Sequence, residues 1–376
     1  MNNSSKPLIL GALLILTAVL TIIYSQSNRS TATELSLVIG TEPLRSMNMA
    51  KVKAITIREG DNQLDLKQVD GQWQLIQRGS YPADEGTVER LIVNLRNMKV
   101  LRTASASERQ LSELSLGKNE GVTVELKDSA DKVIHTLQLG KEISGPPPAI
   151  QTSMNIEDRR FLMIDGKPES IAVVDQTFDS AGRELKDWLN KDFFEIENPT
   201  SVAVNFSGDS NSSWSINQWD DNGTKKWRVS DLNATSQPPE NNLPTTAFSS
   251  ASFDDVVDKE AAKELDTNAT RIQVNTKDGF QYAIRVKARL IQGDYLLKMD
   301  VNATITATDE ARKKELTEKL AKEQALNRVY LVPAHVVEPV IKTREALLAA
   351  EPPSSPGPGG GSPIIPQLNG FPPRPN

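Results

Sequence analysis

The chain has 376 residues, 38% of them hydrophobic and 24% charged, with a formal net charge of -6 and neither sign gathered in a long block. That balance suits soluble domains with an ordinary core and excludes a nucleic-acid partner held by a basic face. There is no cysteine, which excludes disulfides, thiolate metal sites, cysteine nucleophiles and a lipid on an N-terminal cysteine.

The N-terminus departs from the rest. After a short cytoplasmic end, residues 1–7, the stretch LILGALLILTAVLTIIY (Leu8 to Tyr24) runs 17 residues without a charge. Roughly 20 apolar residues cross a hydrocarbon core, so residues 8–24 are expected to be a transmembrane signal-anchor. Lys6 precedes the run and Arg29 is the first charge after it, an asymmetry that puts the N-terminus inside and the bulk of the chain outside the cytoplasm. A cleavable signal peptide is the competing reading, but its apolar region usually spans about 7–15 residues and ends at a small-residue site. Here the run is at the long end and closes in IIYSQSNRS without a clear site.

A polar spacer, residues 25–49, leads into alternation at period two. VKAITI, NQLDLKQV and QWQLI, separated by GDN and DG turns, predict a three-stranded meander. In YPADEGTVERLIVNLRNMKV the period changes. Val88, Leu91, Ile92, Leu95 and Met98 recur at three and four residues behind Asp84 as N-cap, which predicts an amphipathic helix. SERQLSEL predicts a short helical turn, GVTVELKD, KVIHTLQLG and FLMID predict strands, and TFDSAGRELKDWLN (Thr177 to Asn190) predicts a closing helix.

The second half can be laid on the first. TSVAVNF matches KVKAITI, and WSINQWDDNGTKKWRV matches LDLKQVDGQWQL, with extra turn residues accounting for the shifted spacing. TRIQVNTKDGFQYAIRVKA matches EGVTVELKDSADKVIHTLQL, and VYLVPAHVVEPVIKTREALL matches IAVVDQTFDSAGRELKDWLN. Four segments in one order predict a duplicated domain, with repeats over residues 50–195 and 196–350. The markers of the repeat are Trp73, Tyr81, Pro82, Asp84 and Trp227. The second copy adds a charged helix, TDEARKKELTEKLAKEQAL, with Glu310–Lys314, Glu315–Lys319 and Glu318–Lys322 four apart. It is expected to be a solvated surface helix or one that docks on another protein. The tail, residues 351–376, is rich in proline and glycine and is expected to be disordered, with SPIIPQLNGFPP as a candidate docking peptide.

Chemistry-bearing patterns are few. Ser129 and Lys132 have Ser-x-x-Lys spacing but stand between two strands, without the companion elements of penicillin-recognising enzymes. DDNG (Asp220 to Gly223) lacks the loop length and closing glutamate of a calcium hand. His135 and His335 each stand alone, so ordinary packed or surface roles are expected of both. No catalytic residue, metal ligand or cofactor is assigned.

An N-terminal apolar helix followed by DGQWQL, YPADEGTVERLIVNLRNMKV and LSELSLGKNEGVTVELKD resembles the bacterial domain-of-unknown-function family numbered four thousand three hundred and forty. Trp73, Tyr81, Pro82, Ala83 and Asp84 carry the resemblance, best over Lys51 to Asn190, and the second half keeps Trp227 without a YPAD. The resemblance implies relatives in extracytoplasmic parts of membrane proteins that accompany ABC-type export systems, gliding-motility auxiliary proteins among them. It implies no reaction.

The expected fold is α+β: a transmembrane helix followed by two related domains of antiparallel strands packed with helices. The expected protein is non-catalytic and anchored in the bacterial cytoplasmic membrane with its bulk outside. It is read as an accessory or scaffold of an ABC-type transport system, with a permease or other envelope proteins as partners. The alternatives are an envelope polysaccharide- or peptide-binding module using Trp188, Trp214 or Trp219, and a serine hydrolase using Ser129 and Lys132.

Overall fold

The computed structural model describes residues 35, 37–144, 158–289 and 293–349. The expected anchor, residues 8–24, and tail, residues 351–376, lie outside the described residues. Among the described residues no helix is long and apolar enough to cross a membrane.

The meander forms where alternation predicts it, as β1 (Ala54–Glu59), β2 (Asn62–Val69) and β3 (Gln72–Leu75). The β2–β3 turn places Asp70 (φ 50°) and Gly71 (φ 88°) in left-handed conformations, as a two-residue hairpin matched to strand twist requires. β4 (Tyr81–Pro82) pairs with β3, and α1 (Glu85–Asn97) follows at once, its N-cap Asp84 accepting the Thr87 N–H at 2.6 Å. Next come β5 (Val100–Ala104), α2 (Glu108–Glu113), β6 (Val122–Lys127), β7 (Val133–Ile143), β8 (Arg159–Ile164) and β9 (Ile171–Val174). They form one antiparallel sheet in the order β4-β3-β2-β1-β6-β7-β8-β9-β5. The fold is thus α+β in kind, mostly antiparallel sheet with a few helices.

Alternation decides which face of this sheet is buried. Ile55, Ile57, Leu64, Leu66, Val124, Leu126, Leu137 and Leu139 point one way and are covered, and α1 contributes Val88, Leu91 and Leu95 to the core. The opposite face is a polar ladder. Thr56 donates to Asp65 at 2.6 Å and accepts from Lys127 at 2.8 Å, while Glu125 pairs with Lys127 at 3.0 Å and with Arg58. Burial alone would raise the Glu125 carboxyl, but the hydrogen bonds from Lys127 and Arg58 outweigh it and hold the group below its ordinary value.

The helix predicted over Thr177 to Asn190 does not form. Phe178 is left-handed (φ 58°), and two 3-10 turns, Asp179–Gly182 and Leu185–Trp188, are separated by extended residues. The reason is tertiary. The Trp188 carbonyl accepts the Asp84 N–H at 2.7 Å, the Asn190 N–H reaches the Pro82 carbonyl at 3.0 Å, and Leu189 bridges Ala83. Backbone groups that an α-helix would satisfy within itself are satisfied by the YPAD segment instead.

The later half forms β10 (Pro199–Phe206), β11 (Asp209–Asp221), β12 (Thr224–Val229), β13 (Asp255–Val256), α3 (Lys259–Lys263), β14 (Thr270–Thr276), β15 (Phe280–Ala288) and β16 (Tyr295–Ala303). α4 (Glu310–Gln324), β17 (Tyr330–Val332), α5 (Ala334–Val337) and α6 (Arg344–Leu348) complete it. Contacts divide the chain into two units. Among the described residues, the first takes in those up to Phe193 with Ser252–Lys263 and Arg328–Leu331, and the second Phe194–Ala251, those from Glu264 to Asn327 and those from Val332 on. The division is therefore not a single cut near residue 195: Asp255 and Val256 of β13 pair with Leu331 and Tyr330 of β17, and these residues count with the first unit.

In the second unit the hydrogen-bonded order is β12-β11-β10-β14-β15-β16, the connectivity that β3-β2-β1-β6-β7-β8 has in the first. The correspondence reaches single pairs. Gln68 faces Trp73 and Leu66 faces Leu75, just as Gln218 faces Trp227 and Ile216 faces Val229. The β11–β12 turn is again two residues, Asn222 (φ 54°) and Gly223 (φ 86°). The longer spacing predicted from extra turn residues comes instead from longer strands.

The charged helix α4 lies on its own unit's sheet, in contact with β16, and buries Leu316 and Glu323. Lys319, expected to pair with Glu315, turns to Glu323 (3.8 Å), Glu197 (3.5 Å) and the Glu195 carbonyl (2.9 Å). Tyr282 donates to Glu323 at 2.8 Å. Burial raises the Glu323 carboxyl above its ordinary value, against the Tyr282 bond and the Lys319 charge, and burial with the Glu323 charge raises the Tyr282 phenol strongly.

Asp84→Ala removes a cap and should cost about 1 kcal/mol, and Leu91→Ala opens a core cavity and should cost about 2–5 kcal/mol, both read from urea unfolding. A raised carboxyl in the folded state means that the fold holds the proton more tightly. The Glu323 contribution is therefore full below the ordinary carboxyl value and is lost as pH rises through the raised one. Glu323→Gln should flatten that part of the stability–pH curve, and an unchanged slope on the neutral side of pH 4.5 would show Glu323 to be ionised throughout.

Candidate functional site

β3 ends in a 3-10 turn, Ile76–Arg78, followed by Gly79 (φ 65°) and Ser80 (φ 58°). Two successive left-handed residues reverse the chain sharply into β4, and the non-glycine Ser80 takes that conformation at an energetic cost. The turn presents Arg78, whose Nε and Nη2 donate to the two Asp255 oxygens at 2.7 and 2.8 Å. Both side chains are about four-fifths buried. This fork is the strong form of ion pair, and the Asp255 hydrogen bond raises the Arg78 guanidinium further above its ordinary value. The Gly79 carbonyl accepts from Arg328 at 3.1 Å.

Beside this loop Tyr81, Phe193, Phe253 and Tyr330 form an aromatic cluster, with centroids 4.8 Å apart for Phe193–Tyr330, 4.9 Å for Phe253–Tyr330 and 6.0 Å for Tyr81–Phe253. Edge-on contacts of this kind add to simple burial. Tyr81 and Tyr330 hydrogen-bond each other, and burial raises both phenols. Lys191 stands 4.7 Å from the Phe253 centroid and donates to the Asp254 carbonyl at 2.5 Å. Burial lowers its ammonium below the ordinary value, partly countered by Asp255 and Asp254.

Arg78 and Asp255 form one wall of a cavity of about 370 Å³, at the small end of the range for small-molecule sites. Ile57 and Leu64 supply apolar lining, Asn62 and Gln63 supply amides, and the segment from Ala181 to Lys186 supplies Arg183, Glu184 and Lys186. Lys186 pairs with Glu184 at 2.9 Å. Both signs of charge are present, and the best-placed pair is already satisfied. Such a wall suits contact with a polar surface or ligand. No group of three metal-binding side chains occurs among the described residues.

The repeat markers occupy structural places. Trp73 is buried on β3 and its carbonyl accepts the Ala83 N–H at 2.8 Å. Tyr81 belongs to the aromatic cluster, Pro82 is exposed, Asp84 caps α1, and Trp227 is half-buried on β12. Ser129 and Lys132 lie in the β6–β7 hairpin turn, where the Asp128 carboxylate accepts the N–H groups of Ala130 and Lys132 at 2.9 and 3.0 Å. Trp188 and Trp214 are buried, the latter donating to the Lys342 carbonyl at 2.7 Å, so only Trp219 of the three shows much of its ring. His135 is buried 3.1 Å from Asp165, and His335 is exposed. Sequence reasoning missed Arg78, Asp255 and Tyr330. The one local sign was the Arg-Gly-Ser turn just before YPAD.

The model of one family, described as a domain of unknown function (DUF4340), matches residues 73–278. That is more than half of the chain, and the protein belongs to this bacterial family. The matched span is continuous and contains Arg78, Arg183 and Asp255. No curated protein and no solved structure matches the chain.

The fork predicts an energetic coupling. Arg78→Ala and Asp255→Ala should each lower the thermal midpoint, and the double variant should lose less than the sum, by about 1–3 kcal/mol. Strict additivity in chemical denaturation would show that the two side chains do not depend on each other.

Proposed function

We propose that this protein is a non-catalytic, membrane-anchored component with its bulk outside the cytoplasm, acting as an accessory or scaffold of an ABC-type transport system. The observation that carries the reading is the state of the first unit's cavity. Arg78 and Asp255, the groups best placed for chemistry, neutralise each other and tie the loop after β3 to β13. Such a wall offers a shaped, polar contact rather than a reactive centre. The uncharged stretch Leu8 to Tyr24 supports the anchoring. The recurring strand order, with its repeated Gln–Trp pair, supports descent of both sheets from one duplicated domain.

The reading is tested in cells. Membrane fractions should retain the full chain and lose it when residues 8–24 are deleted, and a C-terminal epitope should be digested by protease added to intact spheroplasts. Protection of that epitope would sink the topology. Purification from detergent should recover an ATPase and a multi-span permease, and their absence from crosslinked material would remove the transporter role.

A further inference from the structure

β12 is the last strand of its sheet, and its register with β11 fixes which backbone groups face outward. Ser230 donates to the Ser215 carbonyl at 2.9 Å, so the alternate residues Arg228 and Lys226 also bond toward β11. Val229, Trp227 and Lys225 then turn their N–H and C=O groups away from the sheet. In the first unit the corresponding places on β3 are filled by the chain itself. Leu75 pairs with Tyr81 of β4, and the Trp73 carbonyl accepts the Ala83 N–H.

In the second unit, among the described residues, Val229 alone of the three is served, by a side chain and by the Leu232 N–H, which reaches its carbonyl at 3.3 Å. The Gln237 amide accepts the Val229 N–H at 2.7 Å and donates to the Val229 carbonyl at 3.2 Å, standing in for one residue of a neighbouring strand. The outward groups of Trp227 and Lys225 have no such partner among the described residues. Exposed edges of this kind are templates for strand addition.

We propose that the β12 edge accepts an extended segment of another protein, added as a strand beside Lys225 and Trp227, with apolar and acidic residues in alternation. The register sets this chemistry. Trp227 lies on the face of Ile216 and Val229 and is half-buried, so a residue opposite it gains from being apolar. Arg228 lies on the other face with Trp219, 5.4 Å from that ring, and has no carboxylate partner among the described residues. Neighbouring acidic residues of the incoming strand would meet it. A second copy of β12 would set Lys225, Lys226 and Arg228 against the same cations, and residues 352–376 contain neither aspartate nor glutamate. Neither occupant matches the charge. The proposal concerns this edge alone and does not depend on where the chain resides.

The test uses the full chain in detergent and a labelled, capped peptide, Gly-Glu-Ile-Glu-Val-Glu-Gly, read by fluorescence anisotropy. Saturable binding is expected, abolished when the Ile and Val amides are N-methylated and retained when the Glu amides are. Lys225→Pro deletes one outward donor without touching a bond to β11 and should weaken binding by about tenfold, as should Arg228→Glu on the surface, while Gln237→Ala frees the Val229 N–H, its carbonyl still held by Leu232, and should strengthen it. Circular dichroism of each variant separates these effects from misfolding. The proposal is overturned by indifference to N-methylation, by equal binding of the peptide with Lys in place of Glu, or by concentration-dependent dimerisation that Lys225→Pro abolishes. It is also overturned if binding appears only after residues 350–376 are removed, since the tail would then be the occupant.

Discussion

The first unit depends on the backbone bonds made by residues 81–84. On one side Tyr81 and Ala83 bond to β3, and on the other Pro82 and Asp84 bond to Asn190 and Trp188, with Ala83 set opposite Leu189 between them. An unpaired buried peptide group costs more than a made one contributes, so this short segment draws in everything beside it. It places the N-cap of α1, turns Trp188 into the core and denies residues 177–190 a helix. It also leaves the loop from Ile76 to Ser80 no course but a tight reversal, and that reversal points Arg78 toward Asp255.

The second unit solves the corresponding problem with side chains. Among the described residues no strand lies beside β12 on its outer side, and the Gln237 amide with the Leu232 N–H supplies one residue's worth of pairing. Where a carboxylate is buried, at Glu323, the Tyr282 hydroxyl, the Glu195 N–H and Lys319 gather round it. A buried charge is tolerated only with such company. This cluster also accounts for a helix as charged as α4 lying against a sheet with only Leu316 as its fully buried apolar residue.

The two sheets share strand order and the Gln–Trp pair and differ in how their edges are finished. Backbone completeness in the first unit comes with a bidentate ion pair and an aromatic cluster, which make a rigid, half-polar wall. Incompleteness in the second leaves, among the described residues, two outward peptide groups beside a half-buried tryptophan and an arginine with no carboxylate partner. Differences at edges matter because a central strand is constrained on both sides, whereas an edge can be covered, plugged or left for a partner.

Local order was legible. Alternation over VKAITI and NQLDLKQV, the Asp70–Gly71 turn and the Asp84 cap with its 3.6-residue stripe each act within a few residues, and they suffice for the meander, α1 and the antiparallel α+β class. Trp73 and Trp227 each stand opposite a glutamine, Gln68 and Gln218, on the neighbouring strand. What tertiary structure decided lies beyond that range. Helical periodicity in Thr177 to Asn190 lost to pairing with residues about 100 positions earlier in the chain, and the fork joins side chains 177 residues apart. No local pattern encodes such a contact. It exists because the fold closes a long loop and brings into reach two side chains whose own neighbourhoods carry no sign of each other.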